Sequence, residues 1–306
     1  MPESGFEKEL TAALGESGFL KDEPMSAHTT FKVGGPADYF LMPSSDREIE
    51  NCIDLCRHYG VKCHIIGNGS NIIVTDKGIR GAVMQLRGRY KACIIRGEMV
   101  EAEAGALLSE VAAEACRAGL SGFEFASGIP GTVGGAVSMN AGAYGAEISG
   151  IAEKTAYISA GGKKGELTGE EHDFSYRSSR LQREGLIVLR TFFRLAKGDR
   201  GEIAGLMEEF RQRRKEKQPL EYPSAGSIFK SRIGNDIYAW QLIDGCGLRG
   251  ARCGGAEISR KHCGFIINKG KACAADITGL IRTVRFRVAE KYGIELETEV
   301  RIVGEE

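Results

Sequence analysis

The sequence predicts an α+β fold. Two observations point there. Amphipathic stretches at 45–59 and 107–118 carry apolar residues at three- and four-residue spacing, and the apolar runs between them meander through glycine-marked turns instead of alternating one for one with helices. A third observation, two glycine-rich loops, indicates where a ligand is held. With 306 residues, 42% hydrophobic and 27% charged, the chain is globular and has room for two or three domains.

Taken in order, residues 6–20 read as a short amphipathic helix ending near Gly15 or Gly18, and 28–41 as a strand, a turn at Gly34-Gly35 and a second strand. Residues 45–59 form a helix: Ser45 caps it, Glu48 follows at capping-box spacing, Ile49, Ile53 and Cys56 share a face, and Gly60 stops it. A strand at 61–66 then places the loop 67–71 at the carboxyl end of a β-α-β unit, where small ligands bind. Short strands around Gly88 and Gly97 fill 81–104, and a helix with Leu107, Leu108, Val111 and Ala115 on its apolar face ends at Gly119. Strands return over 151–195, including 155–159 and 186–195, interrupted by the polar segment 172–179.

A helix starting near Glu202 ends in the basic run 211–217, and Pro219 marks a boundary. Read plainly, that run is a solvated helix face. The last unit has a helix near 238–243, strands around 256–258 and 264–268, a helix over 276–291 and a closing strand over 295–303. Alternation in that strand puts Glu295, Glu297 and Glu299 on one face and Leu296, Val300 and Ile302 on the other.

With 41 basic and 41 acidic residues the net charge is zero, which argues against nucleic acid as a partner. The nine cysteines are scattered and never spaced C-x-x-C, so neither a disulfide framework nor a structural metal site is expected, and Cys52 and Cys56, near His58, are read as helix packing. The first residues have no basic, apolar leader pattern and no stretch is long enough to span a bilayer, so a cytoplasmic protein with no membrane association is expected.

The stretch 122–145 holds seven glycines and one proline, which lets the backbone turn tightly and bring N–H groups close to another molecule. The loop Gly67-Asn68-Gly69-Ser70-Asn71 is a second such element, and two loops of backbone donors suit one diphosphate held between them. The first loop is not a dinucleotide fingerprint, since a β-branched run follows it where a helix would be needed, and no G-x-x-x-x-G-K-[ST] sequence supports nucleotide hydrolysis.

Several motifs occur in a characteristic order: Phe31-Lys32-Val33-Gly34-Gly35-Pro36-Ala37, Gly67-Asn68-Gly69-Ser70-Asn71, Ile129-Pro130-Gly131-Thr132-Val133-Gly134-Gly135-Ala136, Met139-Asn140-Ala141-Gly142-Ala143-Tyr144-Gly145, Tyr176-Arg177, Gly226-Ser227-Ile228-Phe229 and Glu299-Val300-Arg301-Ile302-Val303-Gly304. In this the chain resembles, from about residue 25 to its end, the UDP-N-acetylenolpyruvoylglucosamine reductase family. The resemblance implies an FAD-binding region of the vanillyl-alcohol-oxidase (PCMH) type made of two α+β subdomains, 1–85 and 86–200, followed by an α+β substrate domain, 201–306. It implies non-covalent FAD, NADPH as co-substrate, and reduction of the enolpyruvyl UDP-sugar to UDP-N-acetylmuramate for peptidoglycan. The partners are small molecules, with no obligate protein partner.

On that model Gly67, Asn68, Gly69, Ser70 and Asn71, together with Gly128, Ile129, Pro130, Gly131, Thr132, Gly134, Gly135, Ala136, Asn140, Gly142 and Ala143, hold FAD. Arg177 matches the arginine at the substrate carboxylate, Ser227 the serine that protonates the α-carbon, and Glu299 the glutamate beside it, as a protonated hydrogen-bond donor or as part of the proton path. Tyr176, Lys217, His262 and Asn268 line the substrate pocket, and Arg213 and Lys215 join Lys217 as candidates for diphosphate contact. Two departures from the family pattern stand out: no proline follows Phe229, and no long insertion separates Arg177 from Leu186, which places the chain in the shorter-loop subgroup. The rival readings are a flavin oxidase of the same fold acting on an alcohol or sugar, and a non-catalytic nucleotide-sugar binding protein.

Overall fold

The computed structural model describes residues 5–233 and 237–305. The chain divides into two compact units, one of Met1–Lys21, Tyr39–Asn68 and Gly81–Arg213, the other of Asp22–Asp38, Gly69–Arg80 and Arg214–Glu306. Helices and strands mix in both, as an α+β fold requires.

In the first unit the helix Gly5–Leu14 buries Phe6 and Leu10. Helix Asp46–His58 forms for the reason its sequence suggests, a stripe of Ile49, Cys52, Ile53 and Cys56 turned inward. Ser45 Oγ accepts the Glu48 N–H at 3.3 Å, while the Glu48 carboxylate reaches back one residue further than a capping box, to the N–H and hydroxyl of Ser44 at 2.7 and 2.9 Å. Burial pushes the Cys52 thiol up to about 12, as expected of a packing cysteine. Strand Cys63–Ile66 runs parallel to Ile79–Gln85, pairing Cys63 with Ala82 and Ile66 with Gln85, and delivers the chain to Gly67.

The main sheet of this unit is antiparallel, in the order Lys164–Thr168, Ala152–Ile158, Ile187–Arg194, Met99–Glu103, Cys93–Arg96. Helix Leu108–Arg117 packs beside Cys93–Arg96, and the short helix Val133–Ser138 packs against Ile187–Arg194. One buried polar chain crosses the sheet. His172, fully buried, bonds Gly169 O through Nδ1 and Thr155 Oγ1 through Nε2, each at 2.9 Å, and Thr155 meets its register partner Thr191 at 3.3 Å. This network anchors the start of the polar segment that carries Tyr176 and Arg177. Burial holds the His172 imidazole below its usual pKa, so it stays neutral.

The second unit builds its core from helix Ala274–Tyr292, which packs Ile277, Leu280, Ile281, Val284 and Val288 inward, with strand Ala256–Ile258 and helix Ala239–Gly245 against it. The Asp76 carboxylate accepts the N–H groups of Ala274 and Ala275 at 2.7 and 2.9 Å, a negative group where the helix N-terminus favours one. Strands Arg252–Cys253, Ala256–Ile258 and Ile266–Asn268 form a small antiparallel sheet.

Two expectations are corrected here. Residues 28–33 are not a strand. After the 3₁₀ helix Met25–Ala27 they turn compactly, with Thr29 Oγ1 donating to Val33 O at 2.8 Å and Lys32 in the left-handed region at φ 60°. Phe31 and Val33 are both buried, so the alternation seen in the sequence reports burial without a ladder. The closing strand covers only Arg301–Val303, parallel to Ile72–Val74. Leu296 and Val300 are buried as alternation predicts, but Ile302 is 45% exposed, because the periodicity does not carry from the irregular segment before Arg301 into the strand. Among the described residues no helix is long and apolar enough to cross a membrane.

Candidate active site

In the first unit the two glycine loops meet. Gly67 lies so close to Thr132 that a Cβ on it would sit 2.2 Å from Thr132 Oγ1, and Asn68 Nδ2 donates to Pro130 O at 2.7 Å. Gln85 Nε2 holds the Gly67 carbonyl at 2.8 Å. Gln85 escaped sequence reasoning, since a lone glutamine 18 residues downstream carries no local signal. The juxtaposed loops, small-residued and rich in backbone amides, fit a bound diphosphate.

Part of the central stretch spends its backbone donors within the protein. Residues Val133–Ser138 coil into a helix capped by Thr132, and the N–H groups of Gly134 and Ala136 are taken by the carbonyls of Ala104 and Thr132, each at 2.9 Å. Gly134 is small because Ala104 packs on it, with Ala104 Cβ 2.9 Å from where a Cβ would be. Ile129 donates its N–H to Ala126 O and packs against the core. Gly128, Gly131 and Gly135 remain half-buried or exposed.

Asn140 is built into the protein around it. It is 1% exposed and its φ is 46°. Its amide donates to Glu147 Oε2 and Ser175 O at 2.9 and 3.2 Å and accepts the Ser149 N–H at 2.9 Å, so the side chain ties protein to protein on both of its amide hydrogens. Gly142–Ala143 pairs with Ala146–Glu147 in a two-residue ladder. The stretch also holds Arg177. That residue sits in the left-handed region at φ 57°, with Nη1 and Nη2 donating to the carbonyls of Asn140 and Gly142 at 3.4 and 3.2 Å. Its guanidinium lies 5.1 Å from the centroid of the half-exposed Tyr176 ring.

In the second unit, Ser227 and Glu299 lie on neighbouring segments. Ser227 bridges to Phe265, and the Ile228 N–H donates to Gly264 O at 2.9 Å. The Ile228 carbonyl accepts the Glu299 N–H at 2.8 Å, and Phe229 bridges to Thr298. His262 stands next to the Ser227 segment. Its Nδ1 accepts the Gly264 N–H at 3.1 Å, which leaves the proton on Nε2, and its ring is edge-on to Phe265 at 5.1 Å. Burial lowers its pKa, so it too is neutral.

Asn268 is tied into its own unit. Its amide donates to Phe31 O at 3.0 Å and accepts the N–H groups of Gly270 and Ala272 at 2.9 and 3.2 Å, which makes it a buried structural clamp. Gly69, at φ 63°, is packed against the His28 carbonyl, 2.0 Å from where a Cβ would fall, and its own carbonyl accepts the Thr30 N–H at 3.1 Å. Ser70 and Asn71 are half-buried. Lys217 ends the helix Arg200–Lys217 exposed, Arg213 pairs with Glu209 on its own helix, and the Lys215 carbonyl accepts from Lys261 Nζ at 2.5 Å.

Residues 37–157, which include both glycine loops, match the FAD binding domain family, and residues 218–303 match the C-terminal domain of UDP-N-acetylenolpyruvoylglucosamine reductase. A glucose dehydrogenase, Phl p 4.0202, shares the fold over 64% of this chain and 45% of its own, with a TM-score of 0.51 at 16% identity. The crystal structure of UDP-N-acetylenolpyruvylglucosamine reductase from Thermus caldophilus superposes with a TM-score of 0.79 at 36% identity, over 93% of this chain and 97% of that one. The UDP-N-acetylenolpyruvoylglucosamine reductase of Clostridium novyi (strain NT) is 49% identical over 299 residues, 98% of this chain and 96% of the relative. Both glycine loops, Arg177 and the Ser227 and Glu299 segments thus fall in the part of the chain that aligns with nearly the whole length of these relatives, and the chain belongs to the UDP-N-acetylenolpyruvoylglucosamine reductase family.

Proposed function

We infer that this chain carries out its family's reaction, the FAD-dependent, NADPH-driven reduction of UDP-N-acetylglucosamine enolpyruvate to UDP-N-acetylmuramate in peptidoglycan synthesis. The observation that carries the reading is 49% identity over nearly the full length to the reductase of Clostridium novyi, supported by the presence in this chain of the three residue types that the chemistry needs, Arg177, Ser227 and Glu299. FAD, when bound, takes a hydride from NADPH and supplies it to the enolpyruvyl methylene carbon. The α-carbon then carries negative charge spread into the carboxylate, and everything else falls to the protein.

Gly67 and Asn68, with Gly128 to Thr132, hold the FAD diphosphate by backbone donors. Arg177 grips the substrate carboxylate with its planar fork and offsets the charge that develops there. Its contacts with the carbonyls of Asn140 and Gly142 pre-set that fork. Ser227 gives its Oγ proton to the α-carbon. Glu299, kept protonated, donates a hydrogen bond to the developing enediolate. Tyr176 and His262 border the substrate, and Lys217 meets its diphosphate. In domain terms, 1–85 and 86–200 serve the flavin and 201–306 the UDP-sugar. The enzyme works in the cytoplasm on small molecules, without a membrane or an obligate protein partner.

The test is Ser227→Ala in the two half-reactions. Flavin reduction by NADPH stays near the wild-type rate while reoxidation by the UDP-sugar slows at least ~10²-fold, the lower scale for a lost acid. Equal slowing of both halves removes Ser227 from the proton-donor role.

A further inference from the structure

Glu299 is held by its main chain on both sides, and one of the holders is Asn71. On the N-terminal side the Glu299 N–H donates to Ile228 O at 2.8 Å. On the C-terminal side Asn71 Nδ2 donates to the Glu299 carbonyl at 3.1 Å, while the Asn71 carbonyl accepts the Arg301 N–H, also at 3.1 Å. The next residues, Ile72–Val74, continue as a parallel ladder with Arg301–Val303.

We propose that Asn71 is a positioning residue for Glu299, a role separate from flavin binding, and that it sets the direction in which the Glu299 carboxyl leaves the backbone. The proposal rests on the catalytic reading of Glu299 given above. The physical reason is that the two peptide groups flanking a Cα fix its φ and ψ, and these fix the Cα–Cβ vector. Glu299 itself precedes the strand Arg301–Val303, so no strand ladder of its own fixes that vector. The clamp on its carbonyl comes from a side chain 228 residues away in sequence, and without it the peptide after Glu299 keeps the longer bond from the Val300 N–H to Ile228 O, at 3.4 Å, which holds ψ at Glu299 less tightly. An asparagine suits the task because one residue presents both a donor, the side-chain amide, and an acceptor, the backbone carbonyl, to the same short segment. A displacement of about 1 Å in a group that must meet developing charge costs up to about 10²-fold in rate.

The experiment uses the FAD-loaded enzyme with Asn71→Ala and Asn71→Asp, each alone and combined with Glu299→Gln. Asp keeps the size of the side chain but faces the Glu299 carbonyl with an acceptor, so it reports on the contact even if the alanine variant folds poorly. The expected result is a reoxidation rate down about tenfold in each single variant, with full FAD content, NADPH reduction within twofold of wild type and an unchanged KM for the UDP-sugar. In the Glu299→Gln background the Asn71 substitutions add less than a twofold further loss, because the group they position is already gone. If Glu299→Gln slows reoxidation but the Asn71 variants do not, the inference fails and the reading of Glu299 stands. Lost FAD content with intact reoxidation makes Asn71 a flavin ligand and overturns the proposal, and so do losses that multiply in the double variants. If Glu299→Gln leaves reoxidation untouched, both fall together.

Discussion

Replacing Gly67 by alanine puts a methyl 2.2 Å from Thr132 Oγ1 and 3.3 Å from Thr132 Cβ, and contacts of this kind essentially never fall below 3.0 Å. Gly67 has no positive φ, so its backbone accepts alanine and the clash alone decides the outcome. Relief requires the two loops to part by close to 1 Å, which threatens the Asn68 to Pro130 bond and the amide spacing that holds the diphosphate. Overpacking of this size costs about 1–3 kcal/mol, equivalent to FAD binding weakened by about 5- to 150-fold. Fluorescence titration of apoprotein with FAD measures it. Gly135→Ala is the internal control, since its Cβ meets Thr132 Oγ1 at an ordinary 3.6 Å and leaves the loop spacing alone. Adding Thr132→Ala to Gly67→Ala removes the clashing oxygen, so the double variant binds FAD better than the sum of the single losses predicts, even though the helix cap is lost. Strict additivity of the two substitutions, or unchanged FAD affinity in Gly67→Ala, refutes the idea that loop spacing sets flavin binding.

Arg177→Lys keeps the charge but loses the planar fork, so the KM for the UDP-sugar rises at least about tenfold and NADPH reduction is unaffected; a lysine variant with wild-type constants contradicts carboxylate recognition by the guanidinium. Stability depends on pH through His172. Its folded pKa lies below the unfolded value, so the unfolded chain binds more protons as pH falls through about 6.5 and stability drops below that point. Thermal unfolding followed from pH 7.5 down to pH 5.5 should show the loss, and His172→Asn should flatten it, with the slope due to His262 remaining; an unchanged profile in that variant rules out His172 as its source.

Much of the fold was legible because local chemistry decided it. The cap at Ser45, the stripe of Ile49, Ile53 and Cys56 and the stop at Gly60 sit where propensity and periodicity place them. The glycine positions were legible too, but not what each is for. Gly67 and Gly134 are small because other parts of the chain press on them, and no window around either residue reveals the neighbour. The same limit hid the protein partners of Asn140 and Asn268. Both lie inside family-like motifs, yet each has its amide bonded to backbone or to a carboxylate within its own unit.

The expected strand at 28–33 failed because burial alternated there without a partner strand, and the expected strand over 295–303 shrank because its partner, Ile72–Val74, is only three residues long. Long-range pairing also makes the compact units interleaved in sequence: residues 22–38 and 69–80 pack with 214–306 across more than a hundred intervening residues.

The most direct test of the central claim is the visible spectrum of the purified protein under anaerobic conditions, recorded after NADPH and again after the enolpyruvyl UDP-sugar. The account predicts a yellow protein that bleaches with NADPH and regains its colour with the UDP-sugar. Bleached protein whose colour returns only with oxygen contradicts the assigned reaction in favour of an oxidase, and protein that takes up no flavin from added FAD contradicts the reading of the glycine loops.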